Sequence, residues 1–148
     1  VDIGSLLDIS YNSKCYVDGD VSVEGPSMGN YRSSAEVYLS PGASVISVGT
    51  VSVFYVSGAL SLTAGHAESN GTGGSAQLTV YHASSATLWG DVTITGGEGG
   101  EDSGQGGYAI VSVYANSELV IQNADIVGGE GNIDGAAYIS NDCHSKIS

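Results

Sequence analysis

A ten-residue pattern returns twice at a constant distance, and nothing else constrains the fold of this chain as much. "GALSLTAGHA" (58–67), "GDVTITGGEG" (90–99) and "QNADIVGGEG" (122–131) align without a gap at an offset of 32 residues. Apolar and polar residues alternate in each copy, the period of a strand with one buried face. The alignment puts Leu60, Val92 and Ala124 in one inward column and Leu62, Ile94 and Ile126 in the next. Ser61, Thr93 and Asp125, then Thr63, Thr95 and Val127, fall in outward columns, and a turn follows at Gly65, Gly97 and Gly129. None of these short segments can bury an apolar face alone, so equivalent segments must cover one another.

A second element restarts after each glycine-rich loop: "SAEVYL" (34–39), "SAQLTVY" (75–81), "YAIVSVY" (108–114) and "AAYIS" (136–140), opened by Ala35, Ala76, Ala109 and Ala137. A third comprises "ASVISV" (43–48), "ATLWG" (86–90) and "SELVIQ" (117–122), and "CYVDGDVSVEG" (15–25) reads as a fainter first copy. No segment has helical spacing of any length. The loop at 96–107 is half glycine and too long for a hairpin. It joins strands that need not pair with each other, and glycine lets successive loops nest at little steric cost. The expectation is an all-β single domain over 1–148: a parallel solenoid of about four coils of roughly 32 residues, three strands per coil with one long glycine-rich loop. Coils are expected over 15–140, with 1–14 as a candidate N-terminal cap or contact segment and 141–148 as a C-terminal contact tail.

The inward Val, Ile and Leu ladders, the "NADIVGG" run ending at Gly129 and the restarts after paired glycines resemble the right-handed parallel β-helix. This is the pectate-lyase-like superfold of polysaccharide lyases, phage tailspikes and many extracellular adhesins. The resemblance covers residues 15–140. It implies an architecture, with a right-handed coil in line with the general rule for parallel crossovers, and says little about activity. The calcium-binding nonapeptide roll fits less well, because Glu101 and Ile133 stand where its pattern requires Asp.

Charge narrows the function classes. Only 13% of residues are charged, against ~25% in an average globular chain. Asp and Glu number 16 against 3 Lys and Arg, a formal net charge of −13, which opposes binding to nucleic acid or to an anionic membrane. No run of 18 apolar residues exists to span a membrane. The chain opens at Val1 without a signal-like apolar core, which reads as a processed chain or an excised segment. The sequon at Asn70 sits in a glycine-rich loop and is a candidate N-glycosylation site, in keeping with an extracellular or cell-surface location.

Several residues are candidates for chemistry or contact. Glu98, Glu101, Asp102, Glu130 and Asp134 lie on loops expected to stack, and hard oxygen ligands at that density suit calcium, although His66 interrupts the series. Cys15 and Cys143 are about four coils apart, too far for a disulfide along a straight column. They could pair between stacked subunits, pair within a chain whose tail folds back, or remain free thiols. Trp89, Tyr81 and Tyr114 could stack on sugar rings or on a neighbouring protomer. A lyase of this architecture would need a base, but the basic residues are Lys14, Arg32 and Lys146, two of them near the ends. A glycosidase would need carboxylates on a rigid cleft, and Glu101 and Asp102 are loop neighbours. His66, His82 and His144 are scattered. The outward Ser/Thr columns are too mixed for an ice-binding face.

The sequence therefore points to a non-catalytic extracellular structural protein, a subunit stacked end to end with copies of itself into a fibril or surface appendage. The alternative is an adhesin or carbohydrate-binding segment of a larger cell-surface protein.

Overall fold

The computed structural model describes residues 5–25, 44–68, 71–101, 104–142 and 144–148. Among the described residues twelve strands follow one another: β1 (Ser5–Ile9), β2 (Lys14–Val17), β3 (Val21–Glu24), β4 (Ser44–Val48), β5 (Val53–Val56), β6 (Leu60–Thr63), β7 (Ala76–Val80), β8 (Ser85–Thr95), β9 (Ala109–Val113), β10 (Glu118–Val127), β11 (Ala137–Asn141) and β12 (Lys146–Ile147). Every pairing between them is parallel. One sheet runs β1-β4-β7-β9-β11; the other runs β12-β10-β8-β5-β2, with β6 paired to the second half of β8 and β3 to β6. The chain is a parallel β-solenoid. The windings that start at β4, β7 and β9 are each covered by the next strand of the first sheet, giving about three full turns where the sequence suggests about four. The first rung, β1 to β3, reaches β4 through residues 26–43, outside the described residues.

The column is held by rows of side chains that repeat from rung to rung. Leu60 pairs with Val92 and Val92 with Ala124, while Leu62, Ile94 and Ile126 follow one another in the same way, as the 32-residue offset requires. Leu60, Leu62, Val92 and Ile94 are fully buried. On the first sheet Leu7, Ile46, Leu78, Val111 and Ile139 form a row, and Ala76, Ala109 and Ala137 another. A third row runs Cys15, Phe54, Ala86, Leu119, Ile147. Large and small alternate in its middle: Phe54, wholly buried, lies between Cys15 and Ala86, so its ring takes space that two small neighbours leave.

Two assignments differ from the sequence reading. The segment 43–48 does not join 86–90 and 117–122 in one column; β4 pairs with β7 in the first sheet, and Ser85–Leu88 lies between β5 and β10. Its alternation is equally compatible with either sheet, and only the rung above decides. The "SAEVYL" stretch given that place lies outside the described residues. The column also extends into both terminal segments, since β1 pairs with β4 and β12 with β10.

The corner between the sheets is a two-residue turn of left-handed residues without glycine. Tyr11 and Asn12, Thr50 and Val51, His82 and Ala83, and Ala115 and Asn116 all have φ between 54° and 61°. Left-handed backbone costs a non-glycine residue roughly 1–2 kcal/mol, and the stacked turns offset this by bonding to each other. Val51 N–H donates to the His82 carbonyl at 2.9 Å and Ala83 N–H to that of Ala115 at 2.8 Å. The next residue is always serine, and its N–H donates to the serine hydroxyl one rung above: Ser13 to Ser52, Ser52 to Ser84, Ser84 to Ser117 and Ser117 to Ser145, at 3.1–3.3 Å. The sequence spans of these bonds, 39, 32, 33 and 28 residues, show that winding length varies while the turn does not.

Candidate functional site

The glycine-rich loops leave the column through a narrow neck and form a fin along one side. Two glycine columns build the neck, Gly65, Gly97 and Gly129 on the outgoing arm and Gly74, Gly107 and Gly135 on the returning arm. Their backbones bond alternately: Gly74 N–H to the Gly65 carbonyl, Gly97 to Gly74, Gly107 to Gly97, Gly129 to Gly107 and Gly135 to Gly129, all at 2.8–2.9 Å. A methyl group on Gly97 would lie 2.0 Å from the Gly65 oxygen, one on Gly129 1.9 Å from the Gly97 oxygen, and one on Gly107 1.8 Å from the Gly74 oxygen. These glycines are needed for close backbone approach; among the described glycines only Gly19 has a positive φ.

Beyond the neck the arms stay ordered by backbone bonds between coils, such as Ala67 N–H to the Glu98 carbonyl and Gly99 N–H to that of Glu130. This stacking brings four of the five calcium candidates, Glu98, Glu101, Glu130 and Asp134, onto one shallow open groove shared with Asn132. Asp102 lies outside the described residues. Among the described residues, no three His, Cys, Asp or Glu side chains converge as a metal site would require.

The remaining candidates are dispersed. Cys15 is a free thiol at the lower end of the Phe54 row, half-buried against the core. Cys143 and Asn70 lie outside the described residues, so neither the cysteine pairing nor the sequon has a structural counterpart. Tyr81 and Tyr114 are brought together, rings stacked with centroids 5.6 Å apart, and the Tyr81 ring lies over Gly49, where a Cβ would meet it at 2.3 Å. His82 packs edge-on against Tyr81. Trp89, 46% exposed beside buried Leu88, sits in β8, in the other sheet from β7 and β9, the strands that Tyr81 and Tyr114 follow. Lys146 pairs with Glu118 across the rung at 3.0 Å, both side chains exposed.

The upper end has features the sequence reading did not isolate. Residues 137–141 are all exposed. Ile139 is 65% exposed although its row mates Ile46, Leu78 and Val111 are buried. The surface is stepped, because β12 covers only the start of β10 and leaves Asn123–Val127 one rung lower. The Asp142 carboxylate closes the turn stack: it accepts from Ala115 N–H at 2.8 Å and from His144 N–H at 3.2 Å. The Ala115 bond is the main reason its pKa falls below the ordinary 3.8, with Ser145 and His144 adding to the effect. The serine ladder was within reach of the sequence, as an apolar residue followed four places on by serine at Ile9/Ser13, Val48/Ser52, Val80/Ser84 and Val113/Ser117.

No family model matches the chain, and no curated protein or solved structure matches it. No helix among the described residues is long and apolar enough to cross a membrane.

Proposed function

We propose that this chain is a non-catalytic extracellular structural module, a β-solenoid subunit that stacks end to end with copies of itself into a fibril or surface appendage. One observation carries the reading: the inward row of the first sheet reaches the upper end with Ile139 exposed, on a strand whose outer edge has no described partner. Such an edge combines apolar side chains with free backbone groups, the chemistry that recruits another strand. The lower rung offers Leu7 in the same row, half-buried and packed on the core. A stacked copy would meet the stepped end first through β11 and β12. The net charge of −13 opposes this approach, so assembly should strengthen with salt.

Electron microscopy of the purified chain at physiological and high salt tests the proposal. Filaments with an axial repeat near one subunit height, lost in Ile139→Lys, are the expected result; dispersed particles under every condition would reject it. Non-reducing electrophoresis reports whether Cys15 and Cys143 lock the joint. Exposed Trp89 favours a second reading, an adhesin or carbohydrate-binding segment, for which glycan-array binding abolished by Trp89→Ala is the corresponding test.

A further inference from the structure

We propose that the outer face of the first sheet is a side-by-side docking surface for a second copy of this chain, related by a two-fold axis; the choice of partner rests on the structural reading above. The first observation is charge. Strands β4, β7, β9 and β11 contain no Asp, Glu, Lys, Arg or His, in a chain carrying 16 acids. Asp8 on β1 and Asp142 beyond β11 bound this neutral strip. Interface centres are depleted in charge and enriched in tyrosine in the same way.

Relief is the second observation. Stacked Tyr81 and Tyr114 form a ridge along one margin, and Tyr108 with Tyr138, centroids 5.7 Å apart, forms another. Between them runs a trough of small hydroxyl residues, Ser47, Thr79, Ser112 and Ser140, one per rung. Ser112 and Ser140 bond each other at 2.9 Å and Thr79 accepts from Gln77 at 2.8 Å, so the trough floor is largely satisfied without water. Tyr114 and Tyr138 stand 41% and 51% exposed beside it.

These features select the partner. A basic protein would be steered to the acidic fin rather than to the neutral face. A sugar ring needs an open aromatic face, but Tyr81 and Tyr114 lie nearly parallel, at 22°, and turn their faces to each other. A second copy carries the same acid excess, and here it meets the least repulsion. Two-fold pairing then sets a ridge of each copy into the trough of the other, a match that self-complementary contacts satisfy twice. Four strands ~4.8 Å apart and about five residues long offer a flat footprint of roughly 240–320 Å². That is about a third of the ~800 Å² per partner of a standard interface, so one pair is weak and reversible. Repeated along a stack of copies, the same contact would bind columns laterally.

Sedimentation equilibrium up to about millimolar chain, where pairs this small should associate, tests the inference on the intact protein. The variants are Ser140→Lys, in the trough, and Thr95→Lys, outward on the other sheet with the same charge change; circular dichroism verifies that both fold. In the Ile139→Lys background, where end-to-end growth is removed, the parent and Thr95→Lys should form a dimer that grows no further, with association at least about ten-fold weaker in Ser140→Lys, the loss of ~1.4 kcal/mol. A wild type that stays monomeric, or a dimer indifferent to Ser140→Lys, overturns the inference. Open-ended growth untouched by Ser140→Lys would also overturn it while leaving end-to-end stacking standing. An unmodified chain that also stops at this Ser140→Lys-sensitive dimer would support the inference and count against stacking.

Discussion

A single methyl group at Gly97 tests the physical basis of the column. In Gly97→Ala the new carbon lies 2.0 Å from the Gly65 oxygen and 2.9 Å from the Gly74 nitrogen, both rigid backbone. Comfortable contact requires about 3.5 Å, so the arms must part by roughly 1–1.5 Å. Gly97 donates to the Gly74 carbonyl at 2.9 Å and accepts from Gly107 N–H at 2.8 Å, and that displacement breaks both bonds. Each buried group left unpaired costs about 1–3 kcal/mol, and the lower entropy of unfolded alanine adds about 0.4–1 kcal/mol to the penalty's opposite side as an unfolded-state effect. The net expectation is a loss of about 3 kcal/mol, which at a urea slope of ~2 kcal/mol/M lowers the midpoint by about 1.5 M. Urea titration followed by circular dichroism measures it, with exposed Thr93→Ala as a control that should stay within about 0.5 kcal/mol of wild type. If Gly97→Ala matches that control, the neck is not close-packed and the argument for the stacked glycine columns fails.

Three further outcomes follow from the same structure. Phe54→Ala should cost about 3–5 kcal/mol, because Cys15 and Ala86 are too small to refill the space; thermal or urea unfolding reads the loss. Ser84→Ala removes the acceptor of Ser52 N–H at a buried corner and should cost about 1–3 kcal/mol, whereas Ser10→Ala, at an exposed hydroxyl, should change little. The depressed pKa of Asp142 means that its contribution is complete above 3.8 and is lost as pH falls below that through the folded value; amide exchange of Ala115 should rise in that window relative to Ala83, whose acceptor is a backbone carbonyl, and Asp142→Ala should remove the difference.

The in-and-out pattern was legible because it is local: alternation in "LSLT", "VTIT" and "ADIV" states which side chains face inward, and a constant offset states that they share rows. The neck was legible in part, since Gly65, Gly97 and Gly129 recur at the same offset, while Gly74, Gly107 and Gly135 follow loops of unequal length. The candidate site was less legible. Glu98, Glu101, Glu130 and Asp134 do share a groove, but their side chains do not converge, because stacking of arms fixes backbones and leaves carboxylates free to point apart.

By itself, then, the sequence determined an all-β column, its inward rows and the glycine positions where coils approach. The tertiary structure alone decided that β4 pairs with β7, that left-handed turns are secured by a serine ladder, and that Ile139 and a charge-free face reach the surface. The reason is that a period-two pattern is degenerate: any alternating segment can enter either sheet. Which one does so depends on whose backbone groups lie one rung away, and that is a property of the assembled column.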